Sequence, residues 1–123
     1  MDFKSLKAYV IAFELAMKIF EISKKFPKEE TYSLTDQIRR SSRSVCSNIA
    51  EAYRKRNYPN HFKSKLTDSD SENAETQSWL HFAKECGYLT KLEFEESNLK
   101  SEEVGKILNY MINNPGKFGV KVQ

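Results

Sequence analysis

Apolar residues recur along this chain at steps of three and four, the period of a helix, and at no point alternate as they do in a strand. Four segments carry that period, with short breaks between them. The first runs from about Ser5 to Phe26, where Leu6, Tyr9, Val10, Phe13, Met17 and Phe20 share one side and Pro27 stops the helix. The second runs from about Leu34 to Arg56 on the stripe Leu34, Ile38, Val45, Ile49 and Tyr53. Ser33 and Asp36 have the spacing of a capping box at its start. Asn57-Tyr58-Pro59-Asn60 interrupts the pattern, and Pro59 suits the first position of a new helix. The third segment, from about Asn60 to Cys86, is marked by Phe62, Leu66, Leu80 and Ala83 and ends at Gly87. The fourth, from about Lys91 to Asn113, opens on a second capping-box pair, Thr90 and Glu93, and closes at Asn113-Asn114-Pro115-Gly116.

Breaks of a few residues between helices of this length force neighbouring helices to run antiparallel. The expectation is an all-α, single-domain, up-down four-helix bundle over residues 1–116, followed by a flexible C-terminal tail over 117–123. A length of 123 residues suits one domain. With four glycines and three prolines the chain lacks the turn residues of a many-stranded sandwich.

The first helix is apolar on more than one side. Ile11, Leu15, Ile19, Ile22 and Phe26 fall nearly opposite the first stripe, and Lys7, Glu14, Lys18, Glu21 and Lys25 occupy a narrow strip between. A bundle helix ordinarily keeps one face in water. Either this helix is deeply buried or distorted, or its second stripe is an interface between copies of the chain; the second reading is the expectation.

Charge changes the picture for the second helix. The chain has 20 basic and 17 acidic residues, a net charge of +3, and a hydrophobic share of 39%. Ser33–Tyr58 nevertheless carries about +4, and Thr67–Cys86 about −4. Arg40, Arg43 and Arg54 lie away from the apolar stripe, with Arg39, Lys55 and Arg56 nearby. These cations either pair with Glu72, Glu75 and their neighbours or form a stripe for the phosphates of RNA or DNA, to which the guanidinium fork is matched.

A polar track crosses the expected core. Ser69, Asn73 and Thr76 follow the inward side of the third helix, and Ser41, Ser42 and Asn48 lie at comparable depth on the second. Buried polar groups require partners. The track is read as a hydrogen-bonded layer fixing helix register, with a small ligand pocket as the alternative.

Other chemistry does not assemble. Neither His61 nor His81 follows a glutamate by three residues, as a di-iron bundle requires. Asp68-Ser69-Asp70-Ser71-Glu72 opens like a calcium loop but lacks its glycine and places Trp79 where the bidentate glutamate belongs. No glycine-rich phosphate loop or nucleophile signature occurs. Cys46 and Cys86 are too few for a disulfide framework. No metal, no cofactor and no enzymatic activity are expected. No apolar run is long enough for a membrane span, and Met1-Asp2-Phe3-Lys4 has no signal-peptide core, so the reading is a cytoplasmic protein without a membrane partner.

Pro27-x-x-Glu30-x-Tyr32-x-Leu34-x-x-Gln37-Ile38-Arg39-Arg40-Ser41, followed by Ser44-Val45-x-x-Asn48-Ile49-Ala50-Glu51, resembles the four-helix bundle family encoded within intervening sequences of bacterial 23S rRNA genes. Glu72-x-x-Glu75-Thr76-x-x-Trp79-Leu80 and Gly87-Tyr88-Leu89 continue the match, which extends over nearly the whole chain; Ala52 stands where many relatives carry glycine. The resemblance implies an up-down bundle that assembles as a ring, often a pentamer. The chain is also similar to the accessory variability protein of diversity-generating retroelements, a basic pentameric barrel that binds nucleic acid and a reverse transcriptase. That likeness points to Arg39, Arg40, Arg43 and Arg54 as nucleic-acid contacts, and keeps a protein partner as the other expectation.

Overall fold

The computed structural model describes residues 2–121 as four helices: α1 (Lys7–Ser23), α2 (Leu34–Arg54), α3 (Pro59–Glu85) and α4 (Lys91–Asn113). Single 3-10 turns at Phe3–Ser5, Lys28–Glu30 and Pro115–Phe118 complete the order, and no strand occurs among the described residues. The helices stand at the corners of a square: α2 packs on α1 and α3, and α4 packs on α3 and α1. The chain is an antiparallel up-down four-helix bundle.

Local chemistry sets most of the boundaries. Thr90 Oγ1 accepts from the Glu93 N–H at 3.1 Å while Glu93 accepts from the Thr90 N–H at 2.9 Å, a complete capping box for α4. Gly87 takes a φ of 77°. That left-handed residue lets Gly87 N–H reach Lys84 O at 3.0 Å and Tyr88 N–H reach Ala83 O at 2.9 Å, the paired bonds of a Schellman ending. Pro59 opens α3, where its missing N–H costs nothing. The capping box expected from Ser33 and Asp36 does not form. Ser33 makes no side-chain bond to α2; its hydroxyl donates to Glu30 at 2.6 Å, across the preceding turn. The first helix also stops at Ser23 rather than Phe26, because Phe26 turns inward and its ring meets Tyr88 at 5.6 Å.

The interior is two apolar clusters with a polar layer between them. One cluster holds Leu15, Ile19, Phe26, Leu34, Ile38, Leu80, Ala83 and Leu89. The other gathers Ala8, Ile11, Ala12, Val45, Ile49, Phe62, Leu66, Val104, Leu108 and Met111 with their neighbours. The chain does not leave the bundle at Gly116. The last 3-10 turn leads to Gly119 (φ 85°) and returns Val120 to the second cluster, so the expected tail is packed as far as that residue. Its last residues, Val122 and Gln123, lie outside the described residues.

The expected orientation of α1 is reversed. Ile11, Leu15, Ile19 and Phe26, assigned to an interface between copies, are buried within one chain, and Ile22 packs partly against the same core. The aromatic stripe expected inside faces out instead: Val10, Phe13 and Met17 keep 41%, 50% and 47% of their surface, and Tyr9 and Phe20 are half-buried. The physical reason is Ala8, Ala12 and Ala16. These small side chains share the Ile11–Leu15–Ile19 side and let α1 approach its neighbours closely, a fit that Phe13 and Met17 would prevent.

Between the clusters, Ser41 Oγ and Thr76 Oγ1 are 2.9 Å apart, Ser69 donates to Val45 O at 2.9 Å, and Asn73 and Ser101 exchange two bonds at 2.8 and 2.9 Å. Gln77 adds a bond to Ser101 Oγ at 2.9 Å. Ser42 is buried and donates to Arg39 O at 3.2 Å. Asn48 does not join the layer: it is half-buried and donates along its own helix to Ser44 O at 2.9 Å. Ser97 is fully buried with no partner for its hydroxyl among the described residues. Ser97→Ala removes an unmet donor and improves helix propensity, so it should stabilise the fold by about 1 kcal/mol. Asn73→Ala strands Ser101 and should cost about 2–3 kcal/mol. Thermal unfolding followed by circular dichroism checks both; a drop in melting temperature for Ser97→Ala contradicts the first.

Candidate functional site

Two surfaces next to one another carry the features that a partner could use: the outer side of α1 and the basic edge of α2. Along α1, Tyr9 and Phe13 stack with ring centroids 6.0 Å apart, Phe3 meets Tyr9 edge-on at 5.0 Å, and Met17 extends the apolar line. A shallow concavity of about 390 Å³ lies along this line, bounded by Lys4, Tyr9, Val10, Phe13 and Glu14. Burial against the bundle raises the Tyr9 pKa, with a smaller contribution from Cys46 beside it.

Phe20 joins the two surfaces. The Arg39 guanidinium stands 4.8 Å from its ring centroid, that of Arg43 5.7 Å, and Lys24 Nζ 4.9 Å. Arg39 also donates to Ser23 Oγ at 2.8 Å and to Phe20 O at 3.4 Å. It thereby satisfies a carbonyl of the last turn of α1 and places a cation at the negative end of that helix. Arg39 is therefore largely occupied within the fold.

The six basic candidates divide into three groups. Arg39 and Arg43 sit over Phe20. Arg40 turns the other way, bonding Glu72 at 3.0 Å and also Glu75, whose carboxylate accepts from Trp79 Nε1 at 3.2 Å. The two carboxylates raise the Arg40 pKa against an opposing desolvation. Arg54, Lys55 and Arg56 lie at the far end of α2. There Arg56 donates to Tyr53 O at 2.8 Å and covers the Tyr53 ring at 3.7 Å, while Lys55 Nζ lies 5.7 Å from the Tyr58 ring. Arg43 and Arg54 are exposed and form no ion pair among the described residues. An open concavity of about 650 Å³ connects the first two groups; its lining includes Tyr32, Asp36, Arg39, Arg40, Arg43 and Ser47. Its lining side chains are polar, five of them hydroxyls, with three guanidinium groups and the Asp36 carboxylate.

The polar layer does not open into a pocket at its centre, since Ser41, Ser69, Thr76, Ser97 and Ser101 have no accessible surface. The sequence reading missed the contribution of α4. Ser97 and Ser101 stand one turn apart on the Val104–Leu108 side, and that spacing was the available signal. Among the described residues no three His, Cys, Asp or Glu side chains converge as metal ligands, and no helix is long and apolar enough to cross a membrane.

By its fold the chain is, as a class, an antiparallel four-helix bundle with a hydrogen-bonded interior and an exposed apolar line along α1. The chain belongs to the 23S rRNA-intervening sequence protein family, whose pattern matches residues 4–110. It is similar to the crystal structure of a protein with unknown function from the S23 ribosomal protein family of Bacteroides thetaiotaomicron VPI-5482. The TM-score is 0.77 at 29% identity, covering 85% of this chain and 97% of that one. No curated protein sequence matches.

Burial of Cys46 pushes its thiol up to about 11, whereas Cys86 is exposed past the end of α3. A thiol reagent at pH 8 should therefore titrate one cysteine quickly in the folded protein and the second only on unfolding. Two equally fast thiols would contradict the buried position of Cys46.

Proposed function

We propose that the protein is a non-enzymatic helical module that assembles with further copies of itself through the outer side of α1, and that the uncommitted cations of α2 hold an RNA or DNA backbone beside that contact. The observation that carries the assembly is the Val10–Phe13–Met17 stripe, which stays half in water although the protomer already has a complete core. Large apolar side chains in one continuous line at the surface mark a contact site. The resemblance, which implies assembly as a ring, supports the same reading.

The nucleic-acid part rests on Arg43, Arg54 and Lys55, on the polar concavity between Tyr32 and Ser47, and on the match between guanidinium and phosphate. Repetition around an oligomer multiplies a modest patch into avid binding. A second reading, a scaffold that contacts proteins only, is favoured by a specific fact: Arg39, Arg40 and Arg56 are already engaged with partners inside the chain.

Light scattering of the purified protein, with its absorbance ratio, reads oligomer number and bound nucleic acid together. The expected result is a mass several times 14.3 kDa. Phe13→Asp should reduce it to the monomer without loss of helical signal, and a wild-type monomer rejects assembly. For the second part, the affinity for single-stranded RNA should fall steeply with salt and drop at least tenfold in the pair Arg43→Ala with Arg54→Ala. Arg40→Ala should leave that affinity unchanged and cost at most about 1 kcal/mol in stability, as a partly exposed ion pair does. RNA binding that is absent at low salt, or indifferent to the Arg43 and Arg54 changes, leaves the scaffold reading standing.

A further inference from the structure

A second apolar line is exposed on the bundle, and it lies on a different helix. Leu92, Leu99 and Tyr110 of α4 keep 63%, 66% and 45% of their surface. Leu92 and Leu99 are seven residues apart, two helical turns, as are Val10 and Met17 on α1; both pairs span about 10 Å. The three α4 residues fall on one side of the helix, turned away from the Ser97–Val104–Leu108 core side.

A row of ion pairs separates the two lines along the seam between α1 and α4. Lys18 meets Glu96 at 2.5 Å, Lys100 meets Glu14 at 3.6 Å, Lys25 meets Glu93 at 2.5 Å, and Lys7 is 4.0 Å from Glu103. The stripes therefore form two faces of one molecule and not one broad patch. Their surroundings differ in charge. The α1 stripe borders Lys24, Arg39 and Arg43 on the α2 side, and its other edge, Glu14 and Glu21, is already paired with Lys100 and Lys24. The α4 stripe borders Glu95, Glu102 and Glu103, with Lys91 and Lys106 beside them. Among the described residues Glu102 accepts from the Asn98 amide at 2.7 Å and forms no ion pair, and Glu95 lies 3.9 Å from Lys91.

We infer that the α1 face of one copy docks on the α4 face of the next, Val10, Phe13 and Met17 against Leu92, Leu99 and Tyr110, with the cationic border of the first turned toward the Glu95–Glu102 border of the second. The inference rests on the assembly proposed above and specifies its geometry. Pairing α1 with itself around a two-fold axis would cover one stripe and leave three large α4 side chains in water. Pairing the two different faces covers both and sets a cationic border beside an acidic one. A contact of this head-to-tail kind repeats one rotation from copy to copy, so it carries assembly beyond a dimer.

Complementary blocking tests it. Phe13→Asp disables the α1 face and leaves α4 intact, whereas Leu99→Asp does the reverse; both sites are exposed, and circular dichroism verifies that the variants fold. Val10→Asp and Leu92→Asp replace them if either does not. The expected result is that wild type is an oligomer larger than a dimer, that each variant alone is a monomer, and that an equimolar mixture yields a one-to-one dimer through the single remaining good contact. If wild type is oligomeric and Leu99→Asp leaves its mass unchanged, or the two monomers do not combine, this pairing is wrong while assembly through α1 survives. A monomeric wild type removes both.

Discussion

How closely α1 can approach the rest of the bundle governs what the surface offers. A helix with apolar residues on two sides can present either one to a core, and the choice follows from fit rather than from hydrophobicity alone. The side with Ala8, Ala12 and Ala16 has low relief, so neighbouring helices can close upon it, and Ile11, Leu15 and Ile19 fill the remaining space. The aromatic side is bulkier and cannot be enclosed by four helices. Once α1 is seated that way, Phe20 comes beside α2, Arg39 reaches the end of α1, and Arg43 is held over the same ring. The mixed apolar and cationic surface is thus a consequence of packing on the opposite side of the helix.

The polar layer adds a second constraint. Apolar clusters above and below it would tolerate sliding of one helix along another, since Leu and Ile contacts are not directional. Hydrogen bonds between Ser41 and Thr76, Ser69 and the Val45 carbonyl, and Asn73 and Ser101 are satisfied in one register only. A shift of one turn would strand several buried polar groups. The layer's hydrogen bonds join α2, α3 and α4, and among the described residues none of them involves α1. Register in α1 is set at its edges, by the ion-pair row to α4 and by Arg39.

Much of this was legible in the residues themselves. The period of the apolar positions located all four helices, and the Thr90–Glu93 pair fixed the start of α4 because its chemistry is local. Excess apolar surface on α1 was also legible, but its outward side was not. Aromatic bulk suggested the core, and the alanines that decide the matter register as small gaps in a hydrophobic pattern. Ser33 and Asp36 matched a capping box in spacing, yet Glu30 competes for the Ser33 hydroxyl through a turn that spacing does not reveal. The basic edge of α2 was visible as a count of charges. The engagement of Arg39 and Arg40 depended on partners far along the chain, Ser23 for Arg39 and Glu75 for Arg40.

The return of the chain after α4 has a practical side. Gly119 lies against Arg56 so closely that an added Cβ would sit 3.1 Å from the guanidinium, and the turn carries Val120 back beneath the ends of α2 and α4. What looks from the sequence like a loose end works as a stopper for one end of the bundle. Shortening a recombinant version at Gly116 would therefore unplug the interior instead of trimming an idle extension.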